Sequence, residues 1–594
     1  MRFSTEAARD DGLAAETIAA ALEAGITVFD TAHAYGQGEN DLGRGERLLA
    51  RALTRAGARA RTGAGAPRGV GAGTPGGVGA GTPRGARAGA PRRARVITKG
   101  GMTRPAGAWV PDGRAKAILR DCEASLTALD GVAIDLYLLH APDPRTPWRT
   151  SLRALKRLLD EGLVPRVGLS NVNRGQLDDA LEILPVAAIQ VALSFQDDRA
   201  LRAGLVERCE EVGIALIAHS PLGGPRRAGG LARHAALADA AASCAATAAE
   251  LALAWLLQLS PEIVAIPGAR RPETARSAAR AAALMLAPET TAALHVPRPI
   301  RRAPSRRSDH ASVVLVMGIP GAGKTRLAEE YRARGYLRLN RDERGGALRD
   351  LAEELERRLG QGTPRIVLDN TYLTRSARSY VVDAAARRGV PVRCVWLETP
   401  LAQAQVNLVE RLLERFGVLP TPEQLRELAR REPGALAPTQ QMRALRELEP
   451  PSLDEGFATV EVMPFTRTPP VRRTRTGVFI AASALCAPGH EQALEQPGAE
   501  TPYLVFDWIP HGAADALEPM VARVRATVGT GLVEAAFCPH GGGPPRCWCR
   551  PPLPGLPLAF ARSHGIDLAG SVLIGTSAAH RTLARALGVR YKPA

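Results

Sequence analysis

The chain has 594 residues, 45% of them hydrophobic, and a formal charge of +17 at neutral pH. That length exceeds what one hydrophobic core supports, and about three globular domains are expected. With no signal peptide and no apolar run of about 18 residues, the sequence argues for a soluble cytoplasmic protein with no membrane partner.

Eight cysteines scattered over this length do not form a disulfide framework. The positive charge is mostly arginine and permits nucleic-acid or phosphate partners. Lysine is confined to Lys99, Lys116, Lys156, Lys324 and Lys592. In a chain that uses Arg wherever a generic cation will do, a retained Lys is informative, because its chemistry differs from that of Arg.

Three breaks divide the chain. Residues 56–95 repeat Gly, Ala, Thr, Pro and Arg without apolar periodicity, a low-complexity insertion expected to be disordered. Pro/Arg linkers are expected at 297–311 and 468–476, separating segments 1–296, 312–467 and 477–594.

In the first segment, strand-like runs at Ile26–Phe29, Val96–Thr98, Asp135–His140, Val167–Ser170, Ala188–Val191, Ala215–Ala218 and Ile263–Ile266 alternate with helical stretches such as Ala115–Leu129. Seven or eight such units predict a (β/α)8 TIM barrel, with chemistry at the carboxyl ends of the strands. Polar residues at those ends are Asp30, Tyr35, Lys99 and His140. Together they suit carbonyl reduction. A tyrosine gives its proton to the developing alkoxide, a lysine lowers that hydroxyl's pKa, an aspartate pairs with the lysine, and a histidine orients the carbonyl.

Phe29-Asp-Thr-Ala-His-Ala-Tyr-Gly36, Ile97-Thr-Lys-Gly100, Ile134-Asp-Leu-Tyr-Leu-Leu-His140, Val167-Gly-Leu-Ser-Asn171 and Ser220-Pro-Leu-Gly223 resemble the aldo-keto reductases. The resemblance makes Asp30, Tyr35, Lys99 and His140 the catalytic tetrad. It implies that Ser170, Asn171 and Gln190 bind a nicotinamide carboxamide and that His219 stands where an aromatic stacks on the ring. Arg270, Arg271 or Arg276 would clamp a 2′-phosphate, favouring NADP(H) with a small carbonyl substrate. Two departures stand out. Met1–Thr5 falls inside the expected first barrel strand, so the bottom-closing hairpin is expected to be missing. The stretch Arg270-Arg-Pro-Glu-Thr-Ala-Arg276 lacks the family's closing Glu-Asn.

The middle segment carries Gly318-Ile-Pro-Gly-Ala-Gly-Lys-Thr325, a complete phosphate-binding loop between the strand-like Ser312–Met317 and a helical stretch. In a P-loop NTPase α/β domain Gly318, Gly321 and Gly323 let backbone amides cradle the phosphates of ATP. Lys324 reaches the terminal phosphates and Thr325 helps hold Mg²⁺. Asp342 is placed to take a proton from an acceptor hydroxyl, and Arg411 and Arg415 share one helix face, as a phosphate clamp requires. Asn340-Arg-Asp342, Asp369-Asn-Thr371 and Ala404-Gln-Val-Asn407 resemble the 5′-hydroxyl polynucleotide kinases. That implies a nucleic-acid end, DNA or RNA, as acceptor, with Asp369 organising its site. A small-molecule kinase shares the loop and stays open.

In the last segment Cys538, His540, Cys547 and Cys549 supply four soft or borderline donors within a dozen residues, suited to tetrahedral zinc. The surrounding sequence resembles the zinc-loop haloacid-dehalogenase-like phosphatases, whose domain is a Rossmann-like α/β fold. Ala481 and Ser483 stand where that family's two acids belong, Thr576 and His580 replace the late acids, and Pro551 replaces the lysine. A carboxylate nucleophile cannot be improvised from alanine, so this domain is expected to be catalytically silent. The whole reads as an oxidoreductase joined to an ATP-dependent kinase. The competing reading is a nucleic-acid repair scaffold with an idle barrel.

Overall fold

The computed structural model describes residues 2–6, 9–56, 94–224, 227–294, 312–432, 434–465, 475–486, 501–513, 515–529 and 531–594. The low-complexity insertion and nearly all of both linkers lie outside them. The chain divides into two compact units, Met1–Pro299 and Ile300–Ala594.

In the first unit the strands are β1 (Val28–Asp30), β2 (Arg95–Gly100), β3 (Met102–Thr103), β4 (Val110–Pro111), β5 (Ile134–Leu139), β6 (Val167–Ser170), β7 (Val186–Ala192), β8 (Ala215–His219) and β9 (Ile263–Ile266). Seven of them form one parallel sheet in the order β1-β2-β5-β6-β7-β8-β9, while β3 and β4 make a separate antiparallel ribbon. Helices cover the outside, so the strands are buried on both faces and read as continuous apolar runs; all six residues of β5 are buried. Helix starts are written locally: Asn173 and Thr247 each form a capping box with the residue three positions on.

The expected eighth strand is not observed among the described residues. Arg2–Thr5 forms a helical turn, which brings Phe3 to the barrel cavity and buries Ser4 beside Gly45, where an added Cβ would lie 3.1 Å from the serine Oγ. The sheet therefore ends on β1 and β9, which do not pair with each other among the described residues.

Alternation along the strands positions the site. Ile97, Leu136, Leu138, Ala188 and Ile217 form an inner apolar layer, with Val28 packed against it. Side chains two residues further along a strand return to the same face. The next inward positions are Asp30, Lys99, His140, Gln190 and His219. A polar layer thus caps an apolar one at the carboxyl end of the barrel.

The second unit holds two five-stranded parallel sheets. In the first, β10 (Ser312–Met317), β11 (Leu337–Leu339), β12 (Arg365–Asp369), β13 (Val392–Glu398) and β14 (Thr459–Pro464) are ordered β11-β12-β10-β13-β14. In the second, β15 (Val478–Ala481), β16 (Tyr503–Trp508), β17 (Val533–Cys538), β18 (Val572–Gly575) and β19 (Arg590–Pro593) are ordered β17-β16-β15-β18-β19, a doubly wound arrangement.

The helix Leu401–Phe416 joins them. Its Val406, Leu408, Val409, Leu412 and Leu413 share one core with Phe479, Leu504, Phe506, Trp548 and Leu583 of the second sheet's domain. Gln403 also donates to the Ala586 carbonyl at 3.0 Å, and the Trp548 indole donates to Leu436 O at 2.8 Å. No single helix among the described residues is long and apolar enough to cross a membrane.

Candidate active sites

Lys99 is 1% exposed, and its ammonium donates to both Asp30 carboxylate oxygens at 2.7 Å and to Thr31 O at 2.8 Å. Gln190 adds a bond from its amide to Asp30 Oδ1 at 2.8 Å. Lys99 Nζ lies 5.2 Å from the centre of the Tyr35 ring, and the Tyr35 and His140 rings meet edge to face at 5.8 Å. The tetrad proposed from sequence is therefore one contact cluster built from three successive strand ends.

The Tyr35 proton behaves differently from the sequence expectation. Burial raises the hydroxyl's pKa above its ordinary value, and Lys99 offsets only part of this. The lysine's charge is largely spent on Asp30, which overcomes burial and holds the ammonium protonated. Burial also drives the His140 pKa well below its ordinary value, with the Lys99 charge assisting. At neutral pH the site accordingly presents a protonated phenol, an ammonium and a neutral imidazole. His140 Nδ1 is buried without a hydrogen-bond partner.

Asn171, left-handed at φ 58°, donates from Nδ2 to His140 O at 2.9 Å and to Ser170 Oγ at 3.1 Å. Its Oδ1 lies 3.3 Å from His219 Nε2. Asp30, Tyr35, His140, Ser170, Asn171, Gln190 and His219 all line one cavity of about 620 Å³. Pro267–Ala269 line it too, just ahead of the helix Pro272–Ala283, whose amino end favours an anion. The three arginines there divide: Arg270 pairs with Glu6 at 2.7 Å, Arg276 meets Glu23 at 3.5 Å, and Arg271 is exposed.

The aldo/keto reductase family model matches residues 1–295. An uncharacterized oxidoreductase of Schizosaccharomyces pombe is 30% identical over 201 residues, 34% of this chain and 64% of that protein. A probable aldo-keto reductase of Glycine max is 28% identical over 278 residues, 42% of this chain and 68% of its own. A crystal structure of a thermostable aldo-keto reductase with the inhibitor epalrestat is 28% identical, covers 49% of this chain and 89% of its own, and has a TM-score of 0.37. The first unit carries an aldo/keto reductase domain.

Sequence reasoning overlooked two residues of the reductase site. The β3–β4 ribbon carries Arg104 and Trp109, and the Trp109 ring stands 6.1 Å from that of Tyr35 and 5.8 Å from that of His140. Their signal was position: both fall in the loop after β2, at the reactive end of the barrel.

The second unit's phosphate loop follows β10, the central strand of its sheet. An AAA domain model matches residues 313–432, and the loop is a P-loop nucleotide-binding element. Gly318, Gly321 and Gly323 all have positive φ, and an added Cβ at Gly321 would collide with the Ala404 carbonyl. Outside donors hold the loop's carbonyls: Asn407 bonds Gly321 O at 2.8 Å, Gln441 bonds Pro320 O at 2.9 Å and Thr399 bonds Ala322 O at 3.1 Å. Lys324 donates to Gly318 O and Ile319 O at 2.9 and 3.0 Å. Burial pulls its pKa down to about 8, against the attraction of Asp369 and Asp342.

Asp369 is 2% exposed and committed. Arg338 grips it in a fork at 3.0 and 2.8 Å, and Asn340 bonds its carboxylate at 3.0 Å. Asn340 also caps the short helix Arg341–Arg344 by accepting from the Asp342 amide at 2.7 Å, which fixes the Asp342 backbone while its side chain stays half exposed. Arg411 donates to Gly434 O at 2.7 Å and carries its charge towards Lys324 and Asp342. Arg415 instead pairs with Glu432 at 2.8 Å. Thr325 is exposed beside Lys324.

At the carboxyl end of β17, one donor atom from each of Cys538, His540, Cys547 and Cys549 lies within 4.8 Å of the others. Three of the separations are 3.4–3.6 Å, close to the ~3.8 Å between tetrahedral thiolate ligands. At the end of β15, Ala481 is buried and Ser483 Oγ lies 2.8 Å from Thr576 Oγ1. The His580 ring nitrogen accepts from the Thr576 amide.

Proposed function

We propose that this chain is a bifunctional enzyme: an NADP(H)-dependent reductase of small carbonyl compounds joined to an ATP-dependent kinase that acts on 5′-hydroxyl polynucleotide ends. The observation that carries the reductase is the single cavity onto which Asp30, Tyr35, His140, Ser170, Asn171, Gln190 and His219 open, with Lys99 bonded behind Asp30. Its volume and its mix of apolar wall and amide donors suit a nicotinamide. Asn171, Ser170 and Gln190 would hold the carboxamide, His219 would cover the ring, and Arg271 is the arginine left for a 2′-phosphate. The cofactor, when bound, supplies the hydride.

Tyr35 gives its proton to the carbonyl oxygen as negative charge develops there. Its raised pKa keeps that proton in place beforehand. The Lys99 ammonium stabilises the phenolate left behind, and Asp30 and Gln190 hold the lysine in reach. Neutral His140 orients the carbonyl from the other side, in a site dry enough to strengthen each hydrogen bond. Carbonyl-dependent NADPH oxidation by the purified protein, lost in Tyr35→Phe, tests this; no oxidation, or equal oxidation by the variant, refutes it.

In the kinase, ATP with Mg²⁺ supplies the phosphoryl group. Lys324 and the loop amides would hold its phosphates, Thr325 the metal, and Arg411 would neutralise charge at the transferring group. Asp342 takes the acceptor proton, and Asp369, held by Arg338 and Asn340, shapes the acceptor side. Labelling of a 5′-hydroxyl oligonucleotide by ATP is expected and should be lost in Asp342→Asn; ATP turnover only with small hydroxyl compounds would replace this acceptor.

The C-terminal domain fits a haloacid-dehalogenase-like shell without its acids, stapled by zinc on Cys538, His540, Cys547 and Cys549. One equivalent of zinc by elemental analysis, lost in Cys547→Ser, is the check.

A further inference from the structure

Arg411 lies exposed on the helix Leu401–Phe416, where so long a side chain samples many rotamers unless an acceptor catches it. The Gly434 carbonyl is that acceptor, 2.7 Å from Arg411 Nη2. Gly434 is left-handed at φ 98°, and an added Cβ would stand 2.9 Å from the same nitrogen. Held this way, the Arg411 charge is felt at both Lys324 and Asp342.

The described residues of 432–437 form neither helix nor strand. Such a segment has no ladder of backbone bonds, so its place depends on what meets its carbonyls and side chains. Trp548 meets them. Its indole donates to Leu436 O at 2.8 Å, and its ring shares one core with Ala435 and Leu425. Trp548 is 1% exposed, and its backbone is fixed in turn. Gly555 donates to the Trp548 carbonyl at 3.2 Å, and a Cβ at Gly555 would collide with it. Cys547 and Cys549 flank the tryptophan, and both side chains belong to the four-donor cluster at the end of β17. Tying both neighbours to one metal centre removes most of the freedom of the residue between them.

We infer that Trp548 is a positioning residue of the nucleotide site, and that metal on its flanking cysteines sets how firmly that site holds ATP. The line runs from Cys547 and Cys549 through the indole to Leu436, then two residues back to Gly434 and across to Arg411. This rests on the phosphate loop binding ATP and on the zinc reading of the cluster, and it adds a control of the first by the second. No step of phosphoryl transfer passes through the metal. With the cluster empty, the cysteine loop loosens, the indole leaves Leu436 O, and ATP must order Arg411 as it binds.

The test is the dissociation constant of a fluorescent ATP analogue. Trp548→Phe keeps a ring and removes the N–H, and it should weaken binding about threefold to tenfold, the range for one buried hydrogen bond. In an Arg411→Ala background the same substitution should change nothing, because the group it positions is gone. Full affinity in Trp548→Phe, or an equal loss in both backgrounds, overturns the inference. Phe560→Leu thins the same core beside Phe479 and should leave ATP binding unchanged; a loss as large as that of Trp548→Phe assigns the effect to general packing and overturns the positioning role. Stripping zinc with a chelator should reproduce the loss in the wild type, reversibly, and add nothing in Trp548→Phe. A stripped wild type of full affinity overturns the metal's control. ATP binding without phosphorylation of any oligonucleotide removes only the proposed acceptor, whereas a wild type that binds no ATP ends the nucleotide reading and this inference with it.

Discussion

The two sites differ in where they keep their charges. In the barrel, Lys99 and Asp30, the pair behind the proton donor Tyr35, are sunk beneath the surface and bonded to each other, a fixed arrangement of low dielectric. In the P-loop domain, Asp342 and Arg415 are half exposed, and Arg411 reaches a backbone carbonyl. Carbonyl reduction moves one proton over a short distance and gains from a dry, pre-arranged site. Phosphoryl transfer must admit a highly charged donor and a second substrate, and it relies on positioning and neutralisation once they arrive. On the proposed functions, the depth at which each site keeps its charged groups matches the chemistry it would perform.

That contrast has measurable edges, the sharpest at Lys99. Lys99→Met leaves Asp30 buried without its cation, and thermal or denaturant unfolding should show a loss of about 3–5 kcal/mol in the first unit, with reduction abolished. Tyr35→Phe removes only the proton donor; kcat should fall about a thousandfold while the dissociation constant for NADPH, read by fluorescence, stays the same. Asp342→Asn in the open site should cost about a hundredfold in oligonucleotide phosphorylation, with no change in stability, since its side chain is half exposed.

The smallest effect is in pH. Lys324 loses its proton near pH 8 in the free protein because burial disfavours the charge. Phosphate binding needs that charge, so ATP affinity should be full below about pH 8 and decline above it, by at most about tenfold per unit. The reductase should show the reverse insensitivity. A raised Tyr35 pKa keeps the acid protonated through the same range. Equal pH profiles at the two sites would undo the comparison.

Much of this was legible in the residues. Asp30, Lys99 and His140 stood out as polar residues at the ends of strand-like runs, the family resemblance added Gln190, and the glycine spacing of 318–325 marked a loop between strand and helix. Of the five lysines, Lys99 and Lys324 stand in the candidate sites, while Lys156 pairs with Asp160 on an exposed helix face, so rarity alone was an uneven guide. Other features depend on which partners meet in space, and sequence carries no local signal for them. Arg338 gripping Asp369 across β11 and β12 is one, and Arg415 turning to Glu432 is another. The net pKa of Tyr35 is a third, since it balances burial against an ion pair. The helical turn at Arg2–Thr5, read as a strand, depends on what Phe3 and Ser4 pack against. Arg104 escaped because a lone arginine in a loop reads as surface until its burial is known.

One helix has a wider consequence. Leu401–Phe416 offers Asn407 and Ala404 to the phosphate loop on one side and a row of apolar residues to the C-terminal domain on the other. A protein cut before β15 would present that row to water and loosen the wall behind the loop. If the P-loop domain transfers phosphate as proposed, selection for that activity alone is enough to preserve the last fifth of the chain, whether or not it performs any chemistry. The domain acts on its neighbour as scaffolding, and its disappearance would be felt first as a failure of that neighbour.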